Sequence, residues 1–195
     1  QWIEEPSTPC THPRVRFWNA HGHELRFVDV RSFGEMWWVP PDVELTVGIP
    51  GLARLGPEPF SEAFSAPYLK RQLKNTSRPI KTALLDQALV AGVGNIYADE
   101  SLFSAGIPPL TPAGRLTLAQ LERLRSSLVE VLTTSIGAGG TTFSDFRDLE
   151  GVNGNYGGQA WVYRRGGEPC RRCGTIIRRD KLSGRSTHWC PTCQG

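Results

Sequence analysis

The chain has 195 residues, 22 Lys or Arg against 19 Asp or Glu for a formal net charge of +3, and 39% apolar side chains. That length holds one or two domains with real cores, and no apolar run is long enough to span a membrane. No signal-peptide pattern opens the chain, and five cysteines, with Cys10 left over once two pairs are made, fit a reducing compartment.

Gln1-Trp2-Ile3 carries no initiator Met and runs straight into what reads as the interior of a strand, the opening expected of a fragment. Val15 and Phe17 then alternate with arginines, Asn19-Ala20-His21-Gly22-His23 marks a turn, and Leu25 to Val30 returns as a second strand. After Gly51 the punctuation of Gly56-Pro57-Glu58-Pro59 reads as a linker, and the periodicity becomes helical. Helices are predicted from Ser65 to about Lys74, from Pro79 to Val90 with Pro79 at the first helical position, from Asn95 to Ala105, and from Thr117 to Ile136. The last opens on the capping box Thr117-x-x-Gln120, and Leu118, Leu121, Leu128 and Leu132 give it a stripe for the core. Between two helices, Gly92-Val93-Gly94-Asn95 removes side chains from a turn, so that its amides and the positive end of the next helix can lie against an anion. A plain corner between helices explains two glycines equally well. The Gly- and Asn-rich stretch from Gly137 to Tyr163 is long for a connection and reads as a mobile or functional loop.

Two C-x-x-C knuckles, Cys170-Arg-Arg-Cys173 and Cys190-Pro-Thr-Cys193, close the chain sixteen residues apart. Each spacer lets two thiolates point at one ion, and the linker suits a hairpin that returns the second pair, giving a closed tetrahedral site for one structural Zn2+. Two disulfides would need an oxidising compartment, and a redox C-x-x-C would stand alone. From Arg164 to Arg185 eight Arg or Lys face only Glu168 and Asp180, an excess of six, so the rest of the chain sums to about −3. Basicity concentrated on a zinc ribbon points to phosphate, which arginine grips as a fork.

The run Ile80-Lys81 to Asp86-Gln87, continued by Val93-Gly94-Asn95-Ile96-Tyr97-Ala98 and Glu100-Ser101-Leu102-Phe103, resembles the helix-two-turns-helix motif of the formamidopyrimidine-DNA glycosylase and endonuclease VIII family. Leu55-Gly56-Pro57-Glu58-Pro59, Val162-Tyr163 and the zinc hairpin extend the resemblance through essentially the whole chain. It implies an α+β fold: part of an N-terminal antiparallel β-sandwich over residues 1–50, a helix-two-turns-helix domain over 51–160 with a mobile lesion-recognition loop at about 140–160, and a four-cysteine zinc finger over 161–195. It also implies base-excision repair by a bifunctional DNA glycosylase and AP lyase. That enzyme excises 8-oxoguanine and formamidopyrimidines from duplex DNA and cleaves by β,δ-elimination, as a monomer in the bacterial cytoplasm, at the nucleoid.

Residue by residue, the resemblance makes Lys81 and Asn95 the clamp on the phosphates around the lesion, and His12 a DNA contact in the β domain. Arg31 and Phe33 match the pair that enters the duplex, the arginine facing the orphaned cytosine and the phenylalanine wedging the stack. Unstacking costs a few kcal/mol and needs such an offset. Ser32 stands where many members carry a second arginine, which removes one phosphate contact. Arg185 matches the arginine that holds the phosphates of the damaged nucleotide and donates a proton in δ-elimination. The loop from Gly151 to Gln159 and the Arg31/Phe33 pair place the chain on the formamidopyrimidine side of the family.

The family's chemistry starts from an N-terminal proline amine that forms a Schiff base, with a neighbouring glutamate as acid and base. Also expected upstream are a lysine for β-elimination and a methionine that fills the vacated stack. None of the four matches a position here, and internal prolines have no free amine. The 195 residues alone are therefore expected to bind and extrude without catalysing. Two other readings stand beside this one: a non-catalytic zinc-dependent damaged-DNA-binding module, and an endonuclease VIII-like enzyme for oxidised pyrimidines. A zinc ribbon of transcription or translation would explain the cysteines and the charge but not Lys81, the Gly92 to Ala98 run, or Arg31 and Phe33.

Overall fold

The computed structural model describes residues 2–5, 7, 9–141 and 154–195. They form two compact units, residues 1–42 with 135–158, and residues 43–134 with 159–195. The fold is α+β.

The first unit is built on a three-stranded antiparallel sheet in the order β1-β3-β2, from β1 (Trp2–Ile3), β2 (Pro13–Trp18) and β3 (Glu24–Val28). The turn read at Asn19 to His23 closes the β2–β3 hairpin: Asn19 Oδ1 accepts from the amides of His21 and His23, and Gly22 sits at φ +82°. Pairing Phe17 with Leu25 and Arg16 with Arg26 sorts apolar and charged side chains onto opposite faces. On the charged face Glu24 is buried between two guanidiniums, those of Arg16 and Arg26, which hold its carboxyl down to about 2. On the other face Phe17 and Leu25 are exposed.

The second unit holds the helices. A short helix α1 (Leu45–Gly48) and a 3-10 turn at Leu52–Arg54 occupy ground read as strand and linker. α2 (Ala66–Gln72) starts on Ser65, whose hydroxyl accepts from the Tyr68 amide. α3 spans only Ile80–Leu84, so the helix expected to reach Val90 stops early, and Pro79 is its cap instead of its first residue. The cause is local: Asp86 accepts from the Ala88 amide and from Arg78, while Gln87 accepts from the Gly92 amide and donates to the Val93 carbonyl. These side chains close residues 86–93 into a turn that competes with the helix.

α4 (Asn95–Ala105) matches its expected bounds and ends on Gly106 at φ +67°. α5 (Leu118–Gly137) opens on the expected capping box, with Thr117 and Gln120 each donating a backbone amide to the other's side-chain oxygen. One stripe residue departs: Leu118 lies in the first turn and is 51% exposed, whereas Leu121, Leu124 and Leu128 are buried with Ile80, Leu84 and Leu102 in the main core. The zinc hairpin β4 (Arg178–Leu182) and β5 (Arg185–Trp189) is too small to bury a core of its own, so Ile177, Cys170 and Cys190 pack against Phe103 of α4 and Val162.

Candidate nucleic-acid interface

In the second unit α3, α4 and β5 bring together Lys81, Asn95 and the strand that starts at Arg185. Gly92 needs its glycine because it sits at φ +75°. At both Gly92 and Gly94 an added Cβ would meet open space, so the turn leading into α4 presents bare backbone outward. Asn95 is the first residue of α4, and its Nδ2 donates to the Ser186 carbonyl at 2.9 Å. Its Oδ1 is buried without a partner among the described residues. Ser186 follows Arg185, which is exposed at the start of β5 just after the Ser183-Gly184 turn.

The side chain of Lys81, read as a clamp on phosphate, is 1% exposed. Its Nζ lies 2.6 Å from Asp99 Oδ1 and donates to the Ser186 carbonyl at 2.7 Å and Thr187 Oγ1 at 2.9 Å. Two of the ammonium's three protons have acceptors in Ser186 and Thr187, and Asp99 supplies the opposite charge. Burial pushes the Lys81 pKa below its ordinary value, the Asp99 carboxylate pulls it back up, and Arg185 lowers it further. Asp99 Oδ2 also accepts from the His188 amide at 2.9 Å and lies 3.1 Å from His188 Nδ1. Lys81 thus meets β5 at Ser186 and Thr187, the two residues that follow the exposed Arg185.

Asp99, Ser186, Thr187 and His188 escaped the sequence reading. One signal was available: Asn95 and Asp99 stand at i and i+4, so a helix puts the amide and an acid on one face, and a buried lysine requires such an acid. Glu100 also escaped it. Its carboxylate accepts the amides of Trp161, Val162 and Tyr163 at 2.8 to 2.9 Å and so orders the entry to the zinc hairpin. Burial pushes the Glu100 carboxyl up and those three donors pull it down. Two hollows open on the hairpin, one of about 460 Å3 lined by Arg179, Asp180, Lys181 and Ser186, and a more basic one of about 400 Å3 lined by Arg164, Arg179, Ser186 and His188.

The four sulfurs of Cys170, Cys173, Cys190 and Cys193 lie within 4.8 Å of one another. Cys170 and Cys193 are 3.9 Å apart and Cys173 and Cys190 3.4 Å, close to the edge of about 3.8 Å that a tetrahedron of Zn–S bonds near 2.3 Å would have. The Arg172 amide points at Cys170 Sγ, and the Cys193 amide at Cys190 Sγ. Zinc is bound by thiolates, and the two amides that point at the sulfurs favour that form. The site fits one structural Zn2+.

In the first unit Arg31 and Phe33 stand on the loop after β3. Phe33 is 81% exposed, and the Arg31 guanidinium carbon lies 5.7 Å from the centre of its ring. His12 is exposed in the left-handed region at φ 60°, and its carbonyl accepts the Asp29 amide. The lesion-recognition loop falls largely on residues 142–153, outside the described residues, while Tyr156–Gln159 forms a 3-10 turn.

Residues 55–147 match the family model described as formamidopyrimidine-DNA glycosylase H2TH domain, and residues 167–195 match a zinc finger found in FPG and IleRS. A formamidopyrimidine-DNA glycosylase of Parasynechococcus marenigrum (strain WH8102) is 98% identical over all 195 residues, which span 70% of its length. Among solved structures, MutM (Fpg) of Thermus thermophilus is 45% identical with a TM-score of 0.87, over 96% of this chain and 70% of that one. Lactococcus lactis Fpg (MutM), solved with a Fapy-dG containing DNA, is 33% identical with a TM-score of 0.86, over 100% of this chain and 70% of its own.

Proposed function

This chain belongs to the formamidopyrimidine-DNA glycosylase family of DNA-repair enzymes, and from that premise we propose that it binds duplex DNA at an oxidised base or abasic site and drives the base out of the stack. The observation that carries the reading is the junction of α4 and β5, where bare backbone at Gly92 and Gly94, the Asn95 amide and the exposed Arg185 stand on a frame fixed by Lys81 and Asp99. Asn95 and Arg185 take the backbone phosphates on either side of the extruded nucleotide. Lys81 acts through Ser186 and Thr187, holding the strand that carries Arg185 and adding its charge from behind. Arg31 satisfies the base edge that extrusion leaves unpaired, and Phe33 replaces the lost stacking. His12 adds a backbone contact from the β domain.

The substrates are 8-oxoguanine and formamidopyrimidines, and the reaction is base excision followed by β,δ-elimination, with Arg185 as the proton donor of the second elimination. The setting is the bacterial cytoplasm at the nucleoid, and the working form is a monomer. The zinc, held by Cys170, Cys173, Cys190 and Cys193, supplies structure only, because four thiolates leave it no open position. The 195 residues contribute binding and extrusion. They contain no match to the imine-forming proline and its glutamate, so they are inactive alone.

Two measurements on residues 1–195 test this. Fluorescence anisotropy is expected to show tighter binding to a duplex with an abasic analogue opposite cytosine than to undamaged duplex. Borohydride is expected to trap no covalent adduct with an abasic duplex. Equal affinity for both duplexes contradicts the binding role, and a trapped adduct contradicts the inactivity, with lysine amines as first suspects.

A further inference from the structure

The loop that carries Arg31 and Phe33 is short and exposed, yet three of its backbone amides are held by one side chain. Asp29, half-buried at the end of β3, is the holder. Its Oδ1 accepts from the amides of Arg31 and Ser32, both at 3.0 Å, and its Oδ2 accepts from the Gly34 amide at 2.6 Å. Those donors, Gly34 foremost, keep its carboxyl below the ordinary range, so the acceptor is an anion. Gly34 comes so close that an added Cβ would fall 2.6 Å from the Phe27 ring and 3.0 Å from Asp29 Oδ2. Arg14 spans the loop from outside: its Nε donates to the Asp29 carbonyl at 2.9 Å and its Nη2 to Ser32 Oγ at 2.6 Å. Ser32 needs this support, because it sits in the left-handed region at φ 57°, where a non-glycine residue is strained.

We infer that Asp29 is the positioning residue of the duplex-entering loop: its carboxylate fixes the backbone of residues 31 to 34, so that Arg31 and Phe33 project side by side before DNA arrives. The gain is preorganisation. A loop that must be ordered on binding loses the affinity that its contacts would give, and loses most where geometry decides between one base edge and another. The Arg14–Ser32 bond is the second fastening. It exists because position 32 is a short hydroxyl side chain that turns back to the protein.

The inference rests on the proposed roles of Arg31 and Phe33, and the test separates the two. Residues 1–195 are titrated by anisotropy onto duplexes with an abasic analogue opposite cytosine or adenine, and onto undamaged duplex. Arg31→Ala is expected to abolish the cytosine preference. Asp29→Asn keeps size and one acceptor but sets an NH2 against the Gly34 amide, and is expected to reduce that preference about tenfold, the scale of one well-made base contact. Its affinity for undamaged duplex is expected to stay within about twofold of the parent, because phosphate contacts made elsewhere are untouched. Arg14→Ala, a change at an exposed residue that leaves the fold intact, is expected to give a smaller loss of preference in the same direction. A parental preference in Asp29→Asn alongside its loss in Arg31→Ala overturns the positioning role. So does an equal fall on all three duplexes, which would mark Asp29 as merely structural. A parental preference in Arg31→Ala overturns the reading of Arg31 itself, and the inference with it.

Discussion

Two antiparallel hairpins carry the proposed contacts of Arg185 and of Arg31 and Phe33, and they are held by opposite means. β4–β5 has almost no apolar interior, so it is fixed by zinc at one end and by a buried cation and carboxylate, Lys81 and Asp99, beneath β5. β2–β3 has a buried carboxylate on one face, exposed aromatic and aliphatic residues on the other, and a following loop tied by surface hydrogen bonds to Asp29. The difference follows the task. Gripping phosphate needs charge on an unyielding frame and carries no sequence information, whereas reading a base edge needs a projecting side chain whose aim is set by its own loop.

The largest effect on this contrast comes from the metal. Chelating zinc, or Cys190→Ser, is expected to unfold the C-terminal hairpin, since structural zinc supplies about 10 kcal/mol or more of binding free energy to such units. Circular dichroism and metal analysis check it, and Cys173→Ser is expected to behave alike. A hairpin that stays folded and binds DNA without zinc would remove the metal from the frame.

Next is the buried pair. Lys81→Met leaves Asp99 as an uncompensated interior charge beside His188 and is expected to cost about 3–5 kcal/mol in urea unfolding, whereas Lys81→Met with Asp99→Asn restores part of the loss. If Lys81→Met is as stable as the parent but loses salt-dependent affinity, the lysine touches phosphate directly and the frame reading is wrong.

The smallest effect is on the first unit. Glu24 titrates near 2 when folded against an ordinary 4.5, so its contribution is fully present above about 4.5 and fades as pH falls towards 2. Glu24→Gln is expected to flatten the pH dependence of unfolding in that window. An unchanged profile would deny the Arg16–Glu24–Arg26 cluster its role.

Sequence made much of this legible where the signal is local. The cysteine spacing, the Thr117/Gln120 box and the Asn19 to His23 turn each depend on residues a few positions apart, and each stands as read. What failed depends on competition or distance. α3 stops at Leu84 because side chains of Asp86 and Gln87 bind the backbone of the next turn, which hydrophobic periodicity does not register. The frame around Lys81 escaped the reading because Ser186 reaches its ammonium from 105 residues later in the chain. Arg31 and Phe33 were visible as a motif. The Asp29 carboxylate behind them was not, because an aspartate after a strand has many uses.

The most direct test of the division between gripping and reading is the salt dependence of binding for Arg185→Ala beside Arg31→Ala, measured on abasic-analogue duplexes with cytosine or adenine opposite. Arg185→Ala is expected to weaken both complexes alike and to lower the slope of log Kd against log salt by about 1. Arg31→Ala is expected to keep the parental slope and lose the cytosine preference. If the two variants change the same quantity, either both the slope or both the preference, the division is contradicted.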